Sequence, residues 1–288
     1  MDNFTLIETA ADMIAFRNYL FQENIEKIAM DFEGDFNLHA YGEKLCLIQI
    51  FDGKKFFIVD PLKIRNEEVI LFFENKKIIK YMYGTESDIS LVYKQYGIRL
   101  NNVFDQQILV NVLGMEHKGL DAVLKSELNI EVKNKKKFQM FNWIKRPIDR
   151  DALQYALNDV AWLFQINEVL MKRIIDKNKY EDLLSWIIRR NFDFEKERVP
   201  GLFRKIEYRN LPKRKKDIFT QIYYLRDRVA QEYDFPPNSL LSNDALFNLV
   251  NGRESPETLR FGKAIREKTK NEIINTLKGL LRPATLSG

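Results

Sequence analysis

Asp31 and Glu33 stand two residues apart at the end of an apolar run, Ile28-Ala29-Met30, with Phe32 between them and Gly34-Asp35 behind. The run predicts a core strand over 26–32, and in a strand residues i and i+2 share a face. Two carboxylates on a face that ought to be apolar are costly unless a positive charge sits between them. A divalent metal ion would satisfy both. The competing reading of this window is a soluble acidic turn after a short strand, and a match this short does not exclude it.

Two further acidic positions bear on the choice. Asp88, in Tyr83-Gly84-Thr85-Glu86-Ser87-Asp88, opens a predicted helix just past the carboxyl end of a predicted strand, where α/β sheets place their chemistry. Acidic residues also favour a helix amino end for electrostatic reasons alone. Tyr155 and Asp159, at i and i+4, share one helix face with Ala152 and Leu163, which sets a carboxylate in an apolar stripe. Such a carboxylate needs a partner, either an arginine or an ion. Together these segments offer four carboxylates. That set suits two-metal phosphodiester hydrolysis, in which two Mg²⁺ or Mn²⁺ ions about 4 Å apart activate water and hold the leaving oxygen. His39 and His117 are isolated and read as loop residues, and the single cysteine, Cys46, lies in the apolar run Leu45-Cys46-Leu47-Ile48 as a buried small hydrophobe.

The elements that must position these groups are legible from periodicity. Residues 4–7 read as a strand and Ala10–Phe21 as a helix; 45–50 and 56–59 are two strands joined through Phe51-Asp52-Gly53-Lys54, a hairpin signal. Helices are expected over 66–75, 86–96, 105–114 and 118–129, with strands over 77–83 and 102–104, and one long helix over 149–175. A hairpin-type, antiparallel start of three strands followed by alternating strands and helices predicts a mixed sheet flanked by helices, an α/β fold. Past 180 the pattern is wholly helical, over 180–190, 216–233, 242–250, 256–267 and 270–281. A polar stretch with Pro200, Gly201 and Pro212 reads as a charged linker, giving domains 1–190 and 216–288 joined by 191–215.

The chain has 288 residues, 45% of them apolar and 30% charged, an ordinary soluble composition with room for two domains. One cysteine excludes an intrachain disulfide framework. The polar, acidic amino terminus and the lack of a long uncharged apolar run predict no signal peptide, no membrane partner and a cytoplasmic location. Net charge is +5, of which residues 201–288 supply 17 Lys/Arg against 10 Asp/Glu. A basic carboxyl-terminal part suits a polyanion partner.

The ordered set Asp31-x-Glu33, Asp88 and Tyr155-x-x-x-Asp159 resembles the DEDD exonucleases with a tyrosine in the third motif, most closely the ribonuclease D branch. Leu45-Cys46-Leu47-Ile48-Gln49-Ile50, Phe104-Asp105-Gln106-Gln107 and Trp143-Ile144-Lys145-Arg146-Pro147 resemble segments of the same branch, so the likeness spans roughly residues 4–175. It implies a ribonuclease-H-like fold. Residues 216–285, with Ile222-Tyr223-Tyr224-Leu225-Arg226-Asp227-Arg228 and Pro236-Pro237-Asn238, resemble the small helical nucleic-acid-binding domain shared by ribonuclease D and RecQ-type helicases, the HRDC domain.

By this resemblance Asp31, Glu33, Asp88 and Asp159 hold two divalent ions, Mg²⁺ or Mn²⁺, while Tyr155 orients the attacking water. The expected reaction is stepwise release of nucleoside 5′-monophosphates from RNA 3′ ends, with tRNA precursors as the family-based substrate. Alternatives are the same chemistry on DNA and an inactive nucleic-acid-binding scaffold. A monomer is favoured. Nucleic-acid contacts are expected from Phe32 (stacking on a terminal base), Tyr83 (where the branch commonly has histidine), Lys118, Lys145, Arg146, and Lys213, Arg214, Lys215 and Lys216. Lys133, Lys135, Lys136 and Lys137 form a further basic run, and Asp35 is expected behind the pair or in solvent.

Overall fold

A computed structural model describes residues 3–132, 135–138, 140–189, 199–262 and 265–281, with the side chains of 135 and 136 excepted. The chain divides into two compact units, Met1–Asp35 with Glu43–Phe194, and Phe36–Gly42 with Glu195–Gly288.

The first unit is built on a six-stranded mixed sheet, in the order β1-β4-β3-β2-β5-β6. Its strands are β1 (Phe4–Ile7), β2 (Lys27–Phe36), β3 (Glu43–Phe51), β4 (Phe56–Val59), β5 (Ile79–Met82) and β6 (Val103–Asp105). The expected β3–β4 hairpin forms antiparallel, with Gly53 at φ +97° in its turn. Asp52 fastens that turn: one carboxylate oxygen accepts from the backbone N–H of Lys54 and Lys55, both at 2.7 Å, and the other accepts from the Tyr19 hydroxyl at 2.7 Å. The β1–β4, β2–β5 and β5–β6 pairs are parallel, so β2 stands between the hairpin and the parallel strands.

Helices α1 (Ala10–Gln22), α2 (Asn66–Phe73), α3 (Glu86–Tyr96), α4 (Gln107–Leu113), α5 (Leu120–Leu128), α6 (Lys135–Phe138), α7 (Arg150–Ala161), α8 (Leu163–Asp176) and α9 (Tyr180–Arg189) complete the unit. Thr9 and Asp12 start α1 with a reciprocal capping box. One sheet face packs Ile28, Met30, Phe32, Ile48 and Ile50 into a core with Phe16, Phe57, Phe72 and Phe73. The single helix expected over 149–175 is two, because Trp162 leaves the helical well (φ −110°, ψ 0°) and its carbonyl starts the second ladder by accepting from Ile166 N–H at 2.9 Å.

In the second unit the chain runs through α10 (Gly201–Arg204), α11 (Ile206–Arg209), α12 (Lys213–Glu232), α13 (Pro237–Leu240), α14 (Asn243–Asn251), the 3₁₀ turn Pro256–Thr258 and α15 (Glu267–Leu281). Two expectations are corrected here. Residues 199–215 are not linker: Leu202 and Leu211 are buried in the helical core, with Phe203 and Tyr208 packed against it. The helix expected over 256–267 is a single turn, closed by the Ser255/Thr258 capping box, after which Leu259 is extended. Gly262 then passes the backbone so closely that an added Cβ would lie 2.6 Å from the Ser239 carbonyl oxygen. Among the described residues no helix is long and apolar enough to cross a membrane.

Several cations serve the fold, among them Lys80, Arg226 and Arg146. Lys80, fully buried in β5, donates to the carbonyls of Asn75 (2.9 Å) and Asn101 (3.0 Å), and burial pushes its amine down to about 8. Arg226, 5% exposed, donates to the Leu241 carbonyl and to Asn243. Arg146 grips Asp60 with two hydrogen bonds (2.6 and 2.8 Å) and also donates to the carbonyls of Cys46 and Trp143. Its expected role as a nucleic-acid contact is therefore corrected: the guanidinium ties the 143–147 segment to the ends of β3 and β4. Removing one partner of a buried pair leaves the other uncompensated. Arg146→Met should cost about 3 kcal/mol in urea-unfolding experiments, and Arg146→Met with Asp60→Leu should recover part of that loss.

Candidate active site

β2 carries Asp31, Glu33 and Asp35 on successive alternate positions, while Met30 and Phe32 between them enter the apolar core. Phe32 is 7% exposed and its ring lies 5.6 Å from that of Phe73, so it is a core residue and not the expected base-stacking contact. Asp35 is buried at 1% exposure, which rules out the solvent-facing alternative. Asp31 and Glu33 are half-buried, as are Asp88, Tyr155 and Asp159.

Asp88 sits in the first turn of α3, and its place is set by Asp105 at the end of β6. Asp105 accepts from the backbone N–H groups of Gly84 (2.8 Å), Thr85 (3.1 Å) and Gln107 (3.0 Å) and from the Thr85 hydroxyl (3.1 Å). One carboxylate thus joins two strand ends and the starts of two helices. Gly84, at φ +68°, supplies the left-handed backbone that this turn needs. Tyr155 and Asp159 lie one turn apart on α7, which Asp149 caps by accepting from Asp151 N–H. α7 packs on β3 through Ala152, Ala156 and Leu157 against Leu47.

The electrostatics show these segments to be neighbours. Asp31 is held well above the usual carboxylate range, first by burial and then by the charges of Asp159, Asp88 and Glu33, against one backbone hydrogen bond from Phe32. Glu33 is raised likewise, by burial and then by Asp159 and Asp88. Burial, with the Asp105 charge behind it, pushes Asp88 up to about 7. The Tyr155 hydroxyl is raised too, by burial first and then by Asp159, Glu33, Asp121 and Asp31. Sequence reasoning had not singled out Asp121, from the first turn of α5, or the anchoring role of Asp105. Asp105 stood in a quoted motif, but its partners Gly84 and Thr85 come from the turn after β5.

All the donors in this set are oxygens, which is the chemistry of hard divalent ions. Among the described residues no group of three or more His, Cys, Asp or Glu side chains is placed, as it stands, to hold a metal ion. The carboxylates stand within reach of one another's charge without forming a finished cage. Tyr155 stacks on Phe138 (centroids 4.8 Å apart) and borders a cleft of about 410 Å³ lined also by Gln154, Asn158 and Trp162.

The expected nucleic-acid contacts separate. Lys118 and Lys145 are exposed in the first unit. The Tyr83 hydroxyl is spent on the Lys118 carbonyl at 2.7 Å, so it braces the loop that carries this lysine. Lys213, Arg214, Lys215 and Lys216 form the first turn of α12 in the second unit; Lys215 donates to Asn251 and Lys216 lies over the Tyr208 ring. Lys137 pairs with Asp151 at 3.7 Å, whereas Lys133 and the side chains of Lys135 and Lys136 lie outside the described residues.

A stability signature follows from the raised carboxylates. The folded metal-free protein binds protons that the unfolded chain releases near pH 4, so its stability falls as pH rises from there through the raised values. Asp88→Asn should therefore stabilise the metal-free protein at both pH 5 and pH 8, by about 3 kcal/mol more at pH 8. Urea unfolding in EDTA at the two pH values checks this.

Comparisons with known proteins agree with the fold. A family model described as 3′–5′ exonuclease matches residues 6–175. The chain is 27% identical over 248 residues to the exosome complex exonuclease RRP6 of Saccharomyces cerevisiae, covering 79% of this chain and 33% of that protein. It is 34% identical over 150 residues to a ribonuclease D of a Shewanella species, covering 51% of this chain and 37% of that protein. The chain thus spans about a third of the length of the curated relatives it matches. Among solved structures, the catalytic core of RRP6 from Trypanosoma brucei superposes with a TM-score of 0.78 at 21% identity, over 97% of this chain and 80% of that one. Escherichia coli RNase D gives a TM-score of 0.69 at 21% identity, over 96% and 75%. With more than half its length matched by the family model, and with the DEDD carboxylates and third-motif tyrosine in place, the chain belongs to the 3′–5′ exonuclease family.

Proposed function

We propose that this chain is a divalent-metal-dependent 3′–5′ exoribonuclease that releases nucleoside 5′-monophosphates from the 3′ ends of structured RNA, tRNA precursors among them. The observation that carries this reading is the mutual electrostatic reach of Asp31, Glu33, Asp88 and Asp159 beside Tyr155. RNA is favoured over DNA by the relatives: ribonuclease D and RRP6 are named as ribonuclease and exosome exonuclease, and the E. coli structure is described as an exoribonuclease involved in structured RNA processing.

Asp31, Glu33 and Asp159 would hold one ion, and Asp31 with Asp88 a second. Bound there, Mg²⁺ or Mn²⁺ supplies a water of lowered pKa and neutralises charge on the scissile phosphate. The rest falls to the chain. Tyr155, its hydroxyl kept protonated by burial and the surrounding carboxylates, hydrogen-bonds the attacking water and aims it in line with the leaving 3′ oxygen. Lys118 and Lys145 face solvent in the same unit and can neutralise backbone phosphates, which would make affinity fall with salt. We read the helical unit as an HRDC-like nucleic-acid-binding domain, with Lys213–Lys216 as its basic turn.

Asp31→Ala or Asp159→Ala should abolish Mg²⁺-dependent mononucleotide release from a 5′-labelled RNA, and full retained activity in either would refute the proposal. Tyr155→Phe should slow hydrolysis by about 10²-fold while leaving Mn²⁺ affinity nearly unchanged, as measured by titration calorimetry. A matched DNA oligonucleotide in the same assay decides the sugar preference: degradation of DNA at the RNA rate would remove the ribonuclease assignment and keep the exonuclease one.

A further inference from the structure

Gln49 lies well inside β3 and is 0% exposed, yet among the described residues neither its Oε1 nor its Nε2 meets a hydrogen-bond partner. A primary amide offers two donors and one acceptor, and burying them unpaired is expensive. Its neighbours Leu47, Ile48 and Ile50 are apolar and buried, so an apolar side chain would complete the run. An unsatisfied polar group in such a place calls for an explanation.

The two faces of β3 supply one. Ile48 and Ile50 pack into the core that also takes Met30 and Phe32 of β2. Gln49 therefore projects from the opposite face, which is the face of Asp31 and Glu33 on the adjacent strand. Leu47, two residues earlier, packs with Ala152, Ala156 and Leu157 of α7. Phe51, two residues later, packs against the cluster that contains Val160 and Leu163. Gln49 thus stands on the face of β3 that α7 covers, and α7 is the helix that carries Asp159. Asp31 accepts from the backbone N–H of Phe32, and an ionised carboxylate has acceptor capacity for more than one donor.

We propose that Gln49 is a positioning residue for the carboxylate set, its Nε2 donating to a carboxylate oxygen of Asp31 when a divalent ion is held there. The inference rests on Asp31 being an ion ligand, as proposed above. Carboxylates that bind ions are themselves oriented by hydrogen bonds, and losing such a partner typically costs about 10- to 100-fold in metal affinity or activity. The unpaired amide is then a local cost to the metal-free fold that is relieved on ion binding.

Gln49→Met keeps the side-chain volume and removes the donors. The full chain and this variant are compared by Mn²⁺ titration calorimetry without RNA, by melting in EDTA, and by steady-state kinetics on RNA. The expected result is a higher melting temperature in EDTA, Mn²⁺ affinity weakened by about 10-fold or more, and a lower kcat at nearly constant KM. Unchanged Mn²⁺ affinity would overturn the inference, and so would a lower melting temperature, since the amide would then already serve the metal-free fold. Asp31→Ala is run in parallel. If wild type binds Mn²⁺ no better than Asp31→Ala does, the ion-ligand reading falls first and the role of Gln49 with it.

Discussion

Four carboxylates held within reach of one another's charge are the constraint to which the first unit answers. Left to themselves such groups would separate or take up protons, and Asp31 and Glu33 are raised first by burial and then by the neighbouring carboxylates. The fold keeps them together by fixing the three segments that carry them. β2 lies inside the sheet, with neighbours on both sides and a fully apolar opposite face. α3 begins on a turn that Asp105 ties through three hydrogen bonds. α7 lies on β3 by small residues, Ala152 and Ala156, which let the helix approach closely enough to bring Tyr155 and Asp159 to the pair.

The supports share a pattern. Asp105, Asp60 with Arg146, and Lys80 are charged groups whose partners are mostly backbone atoms at strand ends or turns. They act where the ladder hydrogen bonds of the sheet stop and where irregular backbone would otherwise be left unpaired. Tyr83 belongs with them, since its hydroxyl fixes the Lys118 loop. Several residues whose type suggested contact with nucleic acid are used inside the fold. Charge or aromatic character in a sequence marks a strong interaction but does not name its partner.

Much of the first unit was legible because its signals are local. Alternation within β2, the Asp-Gly hairpin and the i, i+4 pair on α7 each depend on a few consecutive residues. The same locality explains the failures. Nothing between 149 and 175 breaks a helix by propensity, and the bend at Trp162 belongs to the packing of two helices. Residues 199–215 looked like linker because their apolar residues are sparse, and Leu202 and Leu211 count only against a core supplied by later helices. Gln49 inside an apolar run gave no signal until both of its polar atoms proved to be buried and unpaired.

The sequence by itself determined the chemistry available: oxygen ligands in three ordered segments, a tyrosine one helical turn from the last of them, and a strand-rich start followed by helices. Those features rest on residue type and periodicity, which one dimension contains. Only the tertiary structure decided that the carboxylates share one electrostatic neighbourhood, that Phe32 and Arg146 serve the fold, that Asp35 is buried, and that Gln49 lies on the carboxylate face. Those outcomes depend on which strand lies beside which and on which face meets α7. They are set by packing between segments more than a hundred residues apart, and no local pattern encodes them.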